Sequence, residues 1–435
     1  MTRLIKTCDV LIVGTGVAGV YSALNLDKNL NVLLITKESI TDCNSYLAQG
    51  GISTALNEED IPDYVEDTLA AGNYKNNLNS VKTLVRESRD NVNRLMELNV
   101  HFDKKEDNSL CYTREGGHGK FRILHIKDET GRFLMESLYE ELSKRSNIKV
   151  IENCRLVNII RKDNDCLGGL CEHEGSLIEI HASRTILATG GLGGLFTSST
   201  NVPTLTGDGI SIALHNDVEL QDINYLQLHP TVLYEKNSSY KRLLLSESLR
   251  GEGGILRNHK GLEFVDALRP RDVVSNAILK EIKETPETPY VHLDLTHLGK
   301  DFLVNRFPFL YDECLKKGYA MEKDMLPVSP AHHYAMGGIK VNSYGETSLA
   351  HLYALGETAC TGVHGNNRLA SNSLLEGLVF GYRCANKISM DLSKLNTQSS
   401  NLDYSIDTSN LPNKEYLINY LKERVDNNYV KLLNY

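Results

Sequence analysis

The sequence predicts an α/β fold built around a parallel sheet, and three segments carry this prediction. The opening segment "DVLIVGTGVAGVYSALNL" contains an apolar strand at residues 10–13, a glycine turn and a helix that starts near Val17. A second apolar run, "NVLLIT" at residues 31–36, follows as the next parallel strand. The two runs together are typical of a Rossmann-like βαβ unit. Late in the chain, "HLYALGETAC" predicts another buried strand, and a helix over about 374–389 follows it.

Size, charge and cysteine content limit the class of protein. A chain of 435 residues predicts two or three domains. It has 56 acidic and 47 basic residues and no basic run, which argues against nucleic acid or a membrane surface as a partner. The nine cysteines include no C-x-x-C pair, which disfavours a disulfide framework or a metal site and favours the reducing cytoplasm. No signal peptide and no run of about 18 apolar residues is present, so no membrane attachment is expected.

The segment between about residues 222 and 334 differs from the rest of the chain. Its strand signals are few, and isolated helices such as "DVVSNAILKEIKE" stand between loops, which indicates an inserted domain. After residue 390 the chain is polar, with one short amphipathic helix following Asn413. We therefore expect an α/β domain from residues 1–224 and 335–390, an inserted α+β capping domain at 225–334, and a linker with a short helical tail at 391–435.

The glycine turn has the spacing G-x-G-x-x-G, with Gly14, Gly16 and Gly19 between a strand and a helix. The first glycine allows the turn, the second lets backbone amides approach a pyrophosphate, and the third lets the helix pack on the strand. This context favours dinucleotide binding over a purely structural turn. The acidic ribose partner expected about 20 residues later is not clear, because Thr36 or Lys37 stands in its place.

Other strand ends indicate which dinucleotide binds. The segment "RTILATGG" at residues 184–191 is a strand that ends in a second turn of small residues, and "LYALGET" brings Glu357 to the end of another strand. Several glycine-bordered strand ends that meet one ligand suit a cofactor lying extended through the domain, as FAD does. For Glu357 the alternative is a solvated loop carboxylate.

Seven motifs together resemble one family, the L-aspartate oxidases, which belong with the flavoprotein subunits of succinate dehydrogenase and fumarate reductase. The resemblance covers roughly residues 8–390, with the motifs in the family's order. It implies a Rossmann-like FAD-binding domain with an inserted capping domain, and a C-terminal helical domain that is largely absent here. The motifs are "NSYLAQGGI", "TREGGH", "LQLHPT", "SESLRGEGG", "RPRDVVSNAI", "PAHHYAMGGI" and "HGNNRLASNSLLEGLVFG".

The resemblance also implies how the cofactor is held. The branch of the superfamily with covalent FAD has a His where this chain has Asn44, so the resemblance implies noncovalent FAD. The helix that begins at residues 371–374 is expected to direct its amino end at the flavin ring, where it would stabilise negative charge. The cofactor-binding residues are expected to be Gly14, Thr15, Gly16, Val17, Ala18, Gly19, Lys37, Asn44, Ser45, Ala48, Gln49, Gly50, Gly51, Leu156, Thr189, Gly190, Asp208, Glu357, Ser371, Ser373 and Leu374.

The residues expected to face the substrate form a cationic box. Two Arg and two His side chains would match the two carboxylates of a four-carbon diacid, since bidentate Arg pairing gives strength and orientation. They are Arg271, Arg368, His229 and His333. By resemblance, Arg368 holds a carboxylate and Arg271 is the candidate acid/base, although Arg is a poor proton acceptor and simple electrostatic clamping is the alternative.

Three further residues are assigned around this box. Glu247 is expected beside the cationic residues with Arg250 behind it, and His332 is less suited to substrate contact than its neighbour. A carboxylate at Glu115, in "TREGGH", suits a substrate that carries an ammonium group. The alternative for Glu115 is a solvated loop glutamate.

The resemblance implies FAD-dependent oxidation of L-aspartate to iminoaspartate by hydride transfer, with reoxidation by oxygen or fumarate. Iminoaspartate would feed quinolinate and NAD biosynthesis, which makes quinolinate synthase a candidate partner. One alternative function is a soluble fumarate reductase or succinate oxidase. Another is a flavoprotein scaffold without catalytic activity, which the intact cationic box disfavours.

Overall fold

The computed structural model describes residues 4–236, 241–394, 411–426 and 433. In these residues the strands are β1 (Leu4–Val13), β2 (Val32–Ile35), β3 (Ile52–Ser53), β4 (Tyr112–Thr113), β5 (Ile123–Leu124), β6 (Ile148–Ile151), β7 (Cys154–Lys162), β8 (Asp165–His173), β9 (Ser176–Leu187), β10 (Leu220–Gln221), β11 (Leu226–Leu233), β12 (Ile255–Arg257), β13 (Val291–Asp294), β14 (Leu326–Ala335), β15 (Gly338–Lys340), β16 (Leu352–Ala354) and β17 (Ala359–Cys360).

The helices surround these strands and confirm the α/β class. They are α1 (Val17–Asn25), α2 (Ile61–Ala71), α3 (Leu78–Arg86), α4 (Ser88–Glu97), α5 (Thr130–Ser143), α6 (Asp208–His215), α7 (Glu247–Gly251), α8 (Arg271–Glu284), α9 (Lys300–Arg306), α10 (Pro308–Lys316), α11 (Asn372–Leu392) and α12 (Lys414–Lys422).

The main sheet brings the carboxyl ends of five parallel strands together, those of β1, β2, β6, β9 and β16. Its order is β6-β2-β1-β9-β8-β7, with β16 also paired to β9. At the carboxyl edge, Val13 of β1 pairs with Ile35 of β2 and Leu187 of β9, and Leu187 pairs with Ala354 of β16. Each of these strands is followed at once by a loop. Ligands of parallel α/β sheets bind outside this edge.

Helices α1 and α11 pack closely against each other on one face of the main sheet. Gly377 and Gly381 of α11 make this approach possible, since a Cβ atom at Gly377 would lie 2.8 Å from a methyl carbon of Val17. One apolar cluster contains Val10 and Ile12 of β1 together with Leu378 and Phe380 of α11. The contact fixes the start of α11 beside the glycine turn.

A second, antiparallel sheet has the order β11-β14-β13-β12 and lies between residues 226 and 335. It coincides with the segment expected as an inserted domain, and α8, α9 and α10 pack with it around one apolar cluster. The sequence of this segment shows few strand signals because β12 and β13 are short and because Pro230 and Pro330 interrupt the apolar pattern of β11 and β14. The pairing of these two long strands has register shifts at residues 227–228 and 229–232. The domain boundaries themselves remain a prediction.

The predicted helix after Asn413 is present as α12, and it packs against α6. Its buried residues Leu417, Ile418 and Leu421 join an apolar cluster with Leu226 of β11 and Ala335 of β14. Most of the predicted linker, residues 395–410, lies outside the described residues. Among the described helices, none combines the length and apolarity needed to cross a membrane.

Candidate active site

A cavity of about 640 Å³ lies at the carboxyl edge of the main sheet and extends to the antiparallel sheet. All six residues predicted to face the substrate line it. Every residue predicted to bind the cofactor lines it as well, with the exception of Gly19. Residues from more than ten separate segments therefore meet in one space, although the chain separates the first and last of them by more than 300 positions.

The glycine turn forms the start of the cavity. Gly14 has φ +113°, and a Cβ atom there would lie 2.1 Å from the Ala188 carbonyl oxygen. Helix α1 begins after Gly16, and the Ser45 hydroxyl accepts a hydrogen bond from the backbone N–H of Val17 at 3.0 Å. Gly19 does not line the cavity, and a cofactor contact there stays a prediction. A Cβ atom at Gly19 would lie 2.0 Å from the Gly14 carbonyl oxygen, so only glycine lets α1 pack this closely on the turn.

Lys37, which stands where a ribose-binding acid was expected, pairs with a carboxylate from a distant part of the chain. The Lys37 ammonium group forms an ion pair with the Asp208 carboxylate at 2.9 Å, and both side chains line the cavity. Asp208 is the first residue of α6, and Leu156 of β7 lies on the same lining. A single sequence window around Thr36 could not have identified this carboxylate.

Asn44 and Glu357 are linked through the wall of the cavity. Asn44 accepts a hydrogen bond from the Val202 backbone N–H at 3.0 Å, and its side chain also hydrogen bonds to the Glu357 carboxylate. Glu357 accepts from the Ala335 N–H at 3.0 Å. Burial raises the pKa of Glu357 to about 7, because these hydrogen bonds and the Arg368 charge offset only part of the desolvation. The solvated-carboxylate alternative for Glu357 is therefore wrong.

Helix α11 begins inside the cavity with an unusual residue. Ser371 precedes the helix with φ +62°, in the left-handed region that non-glycine residues rarely adopt. Ser371, Ser373 and Leu374 all line the cavity. The backbone carbonyl of Ser371 accepts hydrogen bonds from the Ser53 hydroxyl and backbone N–H at 3.0 and 3.2 Å. The polar residues before the helix thus hold its first turn in place.

Glu115 is a buried carboxylate and not a solvated loop residue. Its side chain accepts hydrogen bonds from the hydroxyls of Ser248 and Ser371, both at 2.7 Å. A Cβ atom at Gly50 would lie 2.8 Å from its Oε1 atom, so the glycine leaves room for the carboxylate. Among the described residues, no Lys, Arg or His side chain forms an ion pair with Glu115. A buried carboxylate that forms no ion pair with the described residues therefore lines the cavity.

Arg271 belongs to a buried chain of charges. Its Nε donates to Glu247, its Nη1 donates to Gln227 at 3.0 Å, and its Nη2 has no hydrogen-bond partner among the described residues. Arg250 Nη2 lies 3.0 Å from the other Glu247 oxygen. Burial alone would raise the pKa of Glu247, but the charges of Arg250 and Arg271 lower it below its ordinary value. Glu247 is thus an ionised bridge between two cations.

Arg368 is held by three groups. Its Nη1 donates to the Ser373 hydroxyl at 2.8 Å, its Nη2 lies 3.1 Å from His333 Nε2, and its Cζ lies 4.5 Å from the centre of the Tyr334 ring. Its buried Nε atom has no partner among the described residues. Burial, aided by the charge of Arg271, lowers the pKa of Arg368 to about 10. The group remains a cation at neutral pH.

The hydrogen bonds define the tautomers of both cavity histidines. Arg368 can only donate, so His333 Nε2 accepts and its Nδ1–H donates to Thr200 at 2.8 Å. The Thr231 N–H donates to His229 Nδ1 at 3.3 Å, which leaves the proton on Nε2. Burial and the charge of Arg271 hold the pKa of both rings well below the ordinary value. His229 is therefore a free donor, whereas His333 already has a partner at each nitrogen.

His332, which was expected to be less suited to substrate contact than His333, does not line the cavity.

Three other residues were not predicted and contribute to the site. Gln227 joins Arg271 to the carbonyl of Arg368, with contacts of 3.0 and 2.9 Å. Ser246 and Tyr334 line the cavity. All three lie inside motifs that the sequence had singled out, but only their three-dimensional neighbours reveal their contacts.

The residues present fit FAD. The cavity joins a glycine turn at a helix amino end to the start of α11, as an extended dinucleotide requires. Gln49 Oε1 and Arg368 Nε are both buried and find no hydrogen-bond partner among the described residues, and both residues line the cavity. Orphaned buried groups of this kind are expected where a ligand completes the hydrogen bonding.

Comparison with known proteins gives consistent matches. A family model described as an FAD binding domain matches residues 9–374. The L-aspartate oxidase of Clostridium acetobutylicum is 51% identical over 399 residues, which are 91% of this chain and 92% of that protein. The L-aspartate oxidase of Bacillus subtilis is 40% identical over 388 residues, which are 87% of this chain and 71% of that protein.

Solved structures match as well. A mutated FrdA subunit of Escherichia coli quinol fumarate reductase has a TM-score of 0.85 and 30% identity, and the match covers 91% of this chain and 72% of that chain. The match thus covers 72% of the fumarate reductase subunit, whereas the clostridial relative is matched over 92% of its length. The chain belongs to the L-aspartate oxidases, FAD-dependent enzymes of the superfamily that includes the fumarate reductase flavoproteins.

Proposed function

We propose that the protein oxidises L-aspartate to iminoaspartate in the cavity described above. The observation that carries this proposal is the buried Glu115 carboxylate, which forms no ion pair with the described residues and lines the same cavity as Arg271, Arg368 and His229. A buried carboxylate is stabilised by a cationic ligand group, and the substrate ammonium group is such a cation. Fumarate and succinate lack it. Glu115 therefore favours an amino diacid over a plain diacid.

The two substrate carboxylates would be bound by the cationic groups. Arg271 Nη2, Arg368 Nε and His229 Nε2–H are donors that no described residue occupies. Guanidinium pairs with carboxylate strongly and with a defined orientation. His333 would act differently from the sequence prediction, because it holds Arg368 and has no free nitrogen for a carboxylate.

Bound FAD would supply the acceptor for the hydride that leaves the substrate carbon. We propose that FAD is held noncovalently. Asn44, at the position of a covalent attachment in other members of the superfamily, is hydrogen bonded to Val202 and Glu357. The chain's own residues would fix the short approach between substrate and acceptor, which accounts for a large part of the rate. The antiparallel sheet and its helices would exclude water from that approach.

Removal of the substrate ammonium proton needs an acceptor, and Arg271 is the candidate provided that its Nε–H proton passes to Glu247 as the substrate proton is taken up. Arg271 Nε donates to Glu247. Arg250 forms an ion pair with the other Glu247 oxygen and donates through Nη1 to the Ala267 carbonyl. This chain of ion pairs offers a route for a proton away from the cavity. Simple clamping by a permanently charged Arg271 is the alternative, since Arg holds its proton very tightly.

We further propose that oxygen or fumarate reoxidises the enzyme in the cytoplasm, and that iminoaspartate feeds quinolinate and NAD biosynthesis. Reduction of fumarate would use the same cavity in the reverse direction. Quinolinate synthase is the proposed consumer of the product and a candidate partner. The fumarate or succinate activity and the scaffold without activity are the alternatives.

The test is anaerobic reduction of the purified flavoprotein with each substrate in turn. We expect L-aspartate to bleach the flavin absorbance, and Glu115→Gln to lose aspartate oxidation roughly 100-fold or more while it keeps turnover of fumarate. Bleaching by succinate alone would establish the alternative oxidase. A flavin that no substrate bleaches would support the scaffold.

A further inference from the structure

Behind Arg368 lies a buried polar network that the proposed reaction does not use. It consists of Tyr334 on β14, Glu376 on α11, and His364 and Thr361 in the segment before α11. Each of the four is less than a tenth exposed. Only Tyr334 lines the cavity, so the other three lie outside the substrate site. We call these four residues the Glu376 network.

Tyr334 supports the Arg368 guanidinium from one side. The Arg368 Cζ atom lies 4.5 Å from the ring centre, within the range in which a cation is attracted to an aromatic face. The attraction is stronger in a buried site, because water does not compete for the cation. The ring therefore helps to determine where the guanidinium group lies.

Glu376 in turn holds Tyr334. The phenol hydroxyl donates to Glu376 Oε2 at 3.1 Å, and His364 Nε2 lies 2.9 Å from the same oxygen. The Thr361 hydroxyl donates to Glu376 Oε1. The His364 ring also packs edge-on against the Tyr334 ring, with centres 5.5 Å apart. Three donors on one carboxylate leave Glu376 a single orientation.

The negative charge of Glu376 strengthens the contact between the Tyr334 ring and Arg368. Burial alone would raise the pKa of Glu376, but His364, Thr361 and Tyr334 lower it, so the carboxylate is ionised. An ionised acceptor at the phenol hydroxyl makes the ring more electron-rich, which favours the cation on its face. Arg368, the Tyr334 ring and Glu376 thus form a cation, an aromatic spacer and an anion in series.

We propose that Glu376 is a positioning residue for Arg368 and acts through Tyr334, with His364 and Thr361 orienting its carboxylate. The inference rests on the proposed role of Arg368 in binding a substrate carboxylate. In this arrangement the guanidinium group is held in its binding position before the substrate arrives. A ligand then does not have to order it, and that preorganisation raises affinity.

The test uses the FAD-saturated enzyme and two nearly isosteric variants, Tyr334→Phe and Glu376→Gln. Succinate, a diacid without an ammonium group, is titrated anaerobically by calorimetry. The concentration of binding sites is taken as the concentration of bound FAD. We expect each variant to raise the succinate Kd and the aspartate KM by roughly three- to tenfold. We expect kcat to change by less than about twofold, because Arg368 would bind the carboxylate equally in the ground and transition states.

A double-mutant cycle separates the network from general damage. The combined variant of Tyr334→Phe and Glu376→Gln should raise Kd no more than the larger single change, because both act through one contact. Tyr311→Phe is the matched control. Its hydroxyl donates to Glu322 at 3.0 Å in the same Tyr–Glu geometry, and neither residue lines the cavity. It should leave the succinate Kd unchanged.

Arg368→Lys separates the positioning role of Glu376 from the carboxylate-binding role of Arg368. If it weakens succinate binding while Tyr334→Phe and Glu376→Gln bind like the unmodified enzyme, the positioning role is wrong and the carboxylate role of Arg368 survives. If Arg368→Lys itself binds succinate normally, both are wrong. Fully additive effects in the cycle would also overturn the network.

Discussion

At the scale of single residues, the contacts in the site depend on which groups can donate a hydrogen bond and which can accept one. Arg368 and Arg271 have no acceptor atoms, so their partners must accept, and the proton of His333 is thereby placed on Nδ1. His229 has the opposite tautomer because a backbone N–H occupies its Nδ1. Two histidines with ring centres 5.0 Å apart thus carry their protons on different nitrogens. Both rings are neutral, so Arg271 and Arg368 carry the positive charge beside them.

Substitution of Arg271 by Lys distinguishes acid/base chemistry from clamping. Lys keeps the charge but cannot bond to Glu247 and Gln227 at once with the geometry of the guanidinium. If Arg271 moves the proton, we expect a near-normal aspartate KM and a kcat lower by roughly 100-fold or more. A parallel loss of succinate affinity and turnover would establish clamping. Steady-state kinetics and succinate titration together make the measurement.

Substitution of His332 by Leu tests a buried base outside the cavity. Neither ring nitrogen has a hydrogen-bond partner in the described part of the chain, the ring stacks on Phe196 with centres 4.1 Å apart, and burial lowers the pKa of His332 to about 3. The unfolded chain therefore binds one more proton below pH 6.5, so the wild-type protein loses about 1.4 kcal/mol per pH unit as the pH falls. We expect His332→Leu to be near neutral at pH 7.5 and relatively more stable at pH 5.

Urea unfolding with excess FAD at these two pH values provides the measurement. His259→Leu, at an exposed histidine, is the control. An unchanged pH dependence in His332→Leu would contradict the prediction, because it would mean that His332 protonates equally in both states.

At the scale of elements, the cavity depends on how strands and helices end. Strands β1, β2, β9 and β16 stop at one edge, and α11 begins there with Ser371 in a left-handed conformation. The antiparallel sheet is tied to this framework through α10. Asp128, in the loop before α5, accepts hydrogen bonds from the backbone N–H groups of Phe309 and Leu310 at 3.3 and 2.8 Å. A residue distant in sequence thus caps the amino end of α10.

Substitution of Asp128 by Asn tests this contact by its pH dependence. Burial raises the Asp128 pKa from 3.8 to about 6, against the effect of the two N–H groups. The Asp128 pKa is higher in the folded than in the unfolded protein, so protonated Asp128 contributes to the free energy of unfolding below pH 3.8. That contribution, roughly 3 kcal/mol, is lost as the pH rises through 6. We expect Asp128→Asn to gain stability relative to the wild type between pH 4.5 and 7.5.

Unfolding free energies at those two values test it. Asp324→Asn serves as the control, because its exposed carboxylate accepts from the Ala320 N–H at 2.7 Å in the same way. A constant difference between Asp128→Asn and the wild type at both pH values would show that Asp128 stays ionised when folded.

At the scale of the whole molecule, the C-terminal helix supports the active-site strands from behind. Leu417 and Leu421 of α12 are fully buried in the cluster that contains Leu226 and Ala335, the ends of β11 and β14. These strands carry His229 and His333. The short C-terminal segment therefore contributes to the core that positions the site.

Truncation of one side chain in α12 tests that contribution. We expect Leu421→Ala to lower the free energy of unfolding by roughly 2–5 kcal/mol, because it removes buried apolar contacts and leaves a cavity. Thermal unfolding, with FAD release followed by fluorescence, should shift to lower temperature for both signals. Tyr416→Ala, on the exposed face of the same helix at 55% exposure, should change neither by much. A Leu421→Ala protein as stable as Tyr416→Ala would refute the supporting role.

The sequence by itself determined the βαβ start, the α/β class, the FAD cofactor and the family, because periodicity, the glycine spacing and seven ordered motifs are local features of the chain. It also named the residues that line one cavity. The tertiary structure alone decided the contacts among them: the Lys37–Asp208 pair, the Glu115–Ser371 bond, the place of Gln227 and the two histidine tautomers. The physical reason is that these interactions join segments far apart in sequence, where a hydrogen bond depends on packing and not on the residue's neighbours along the chain.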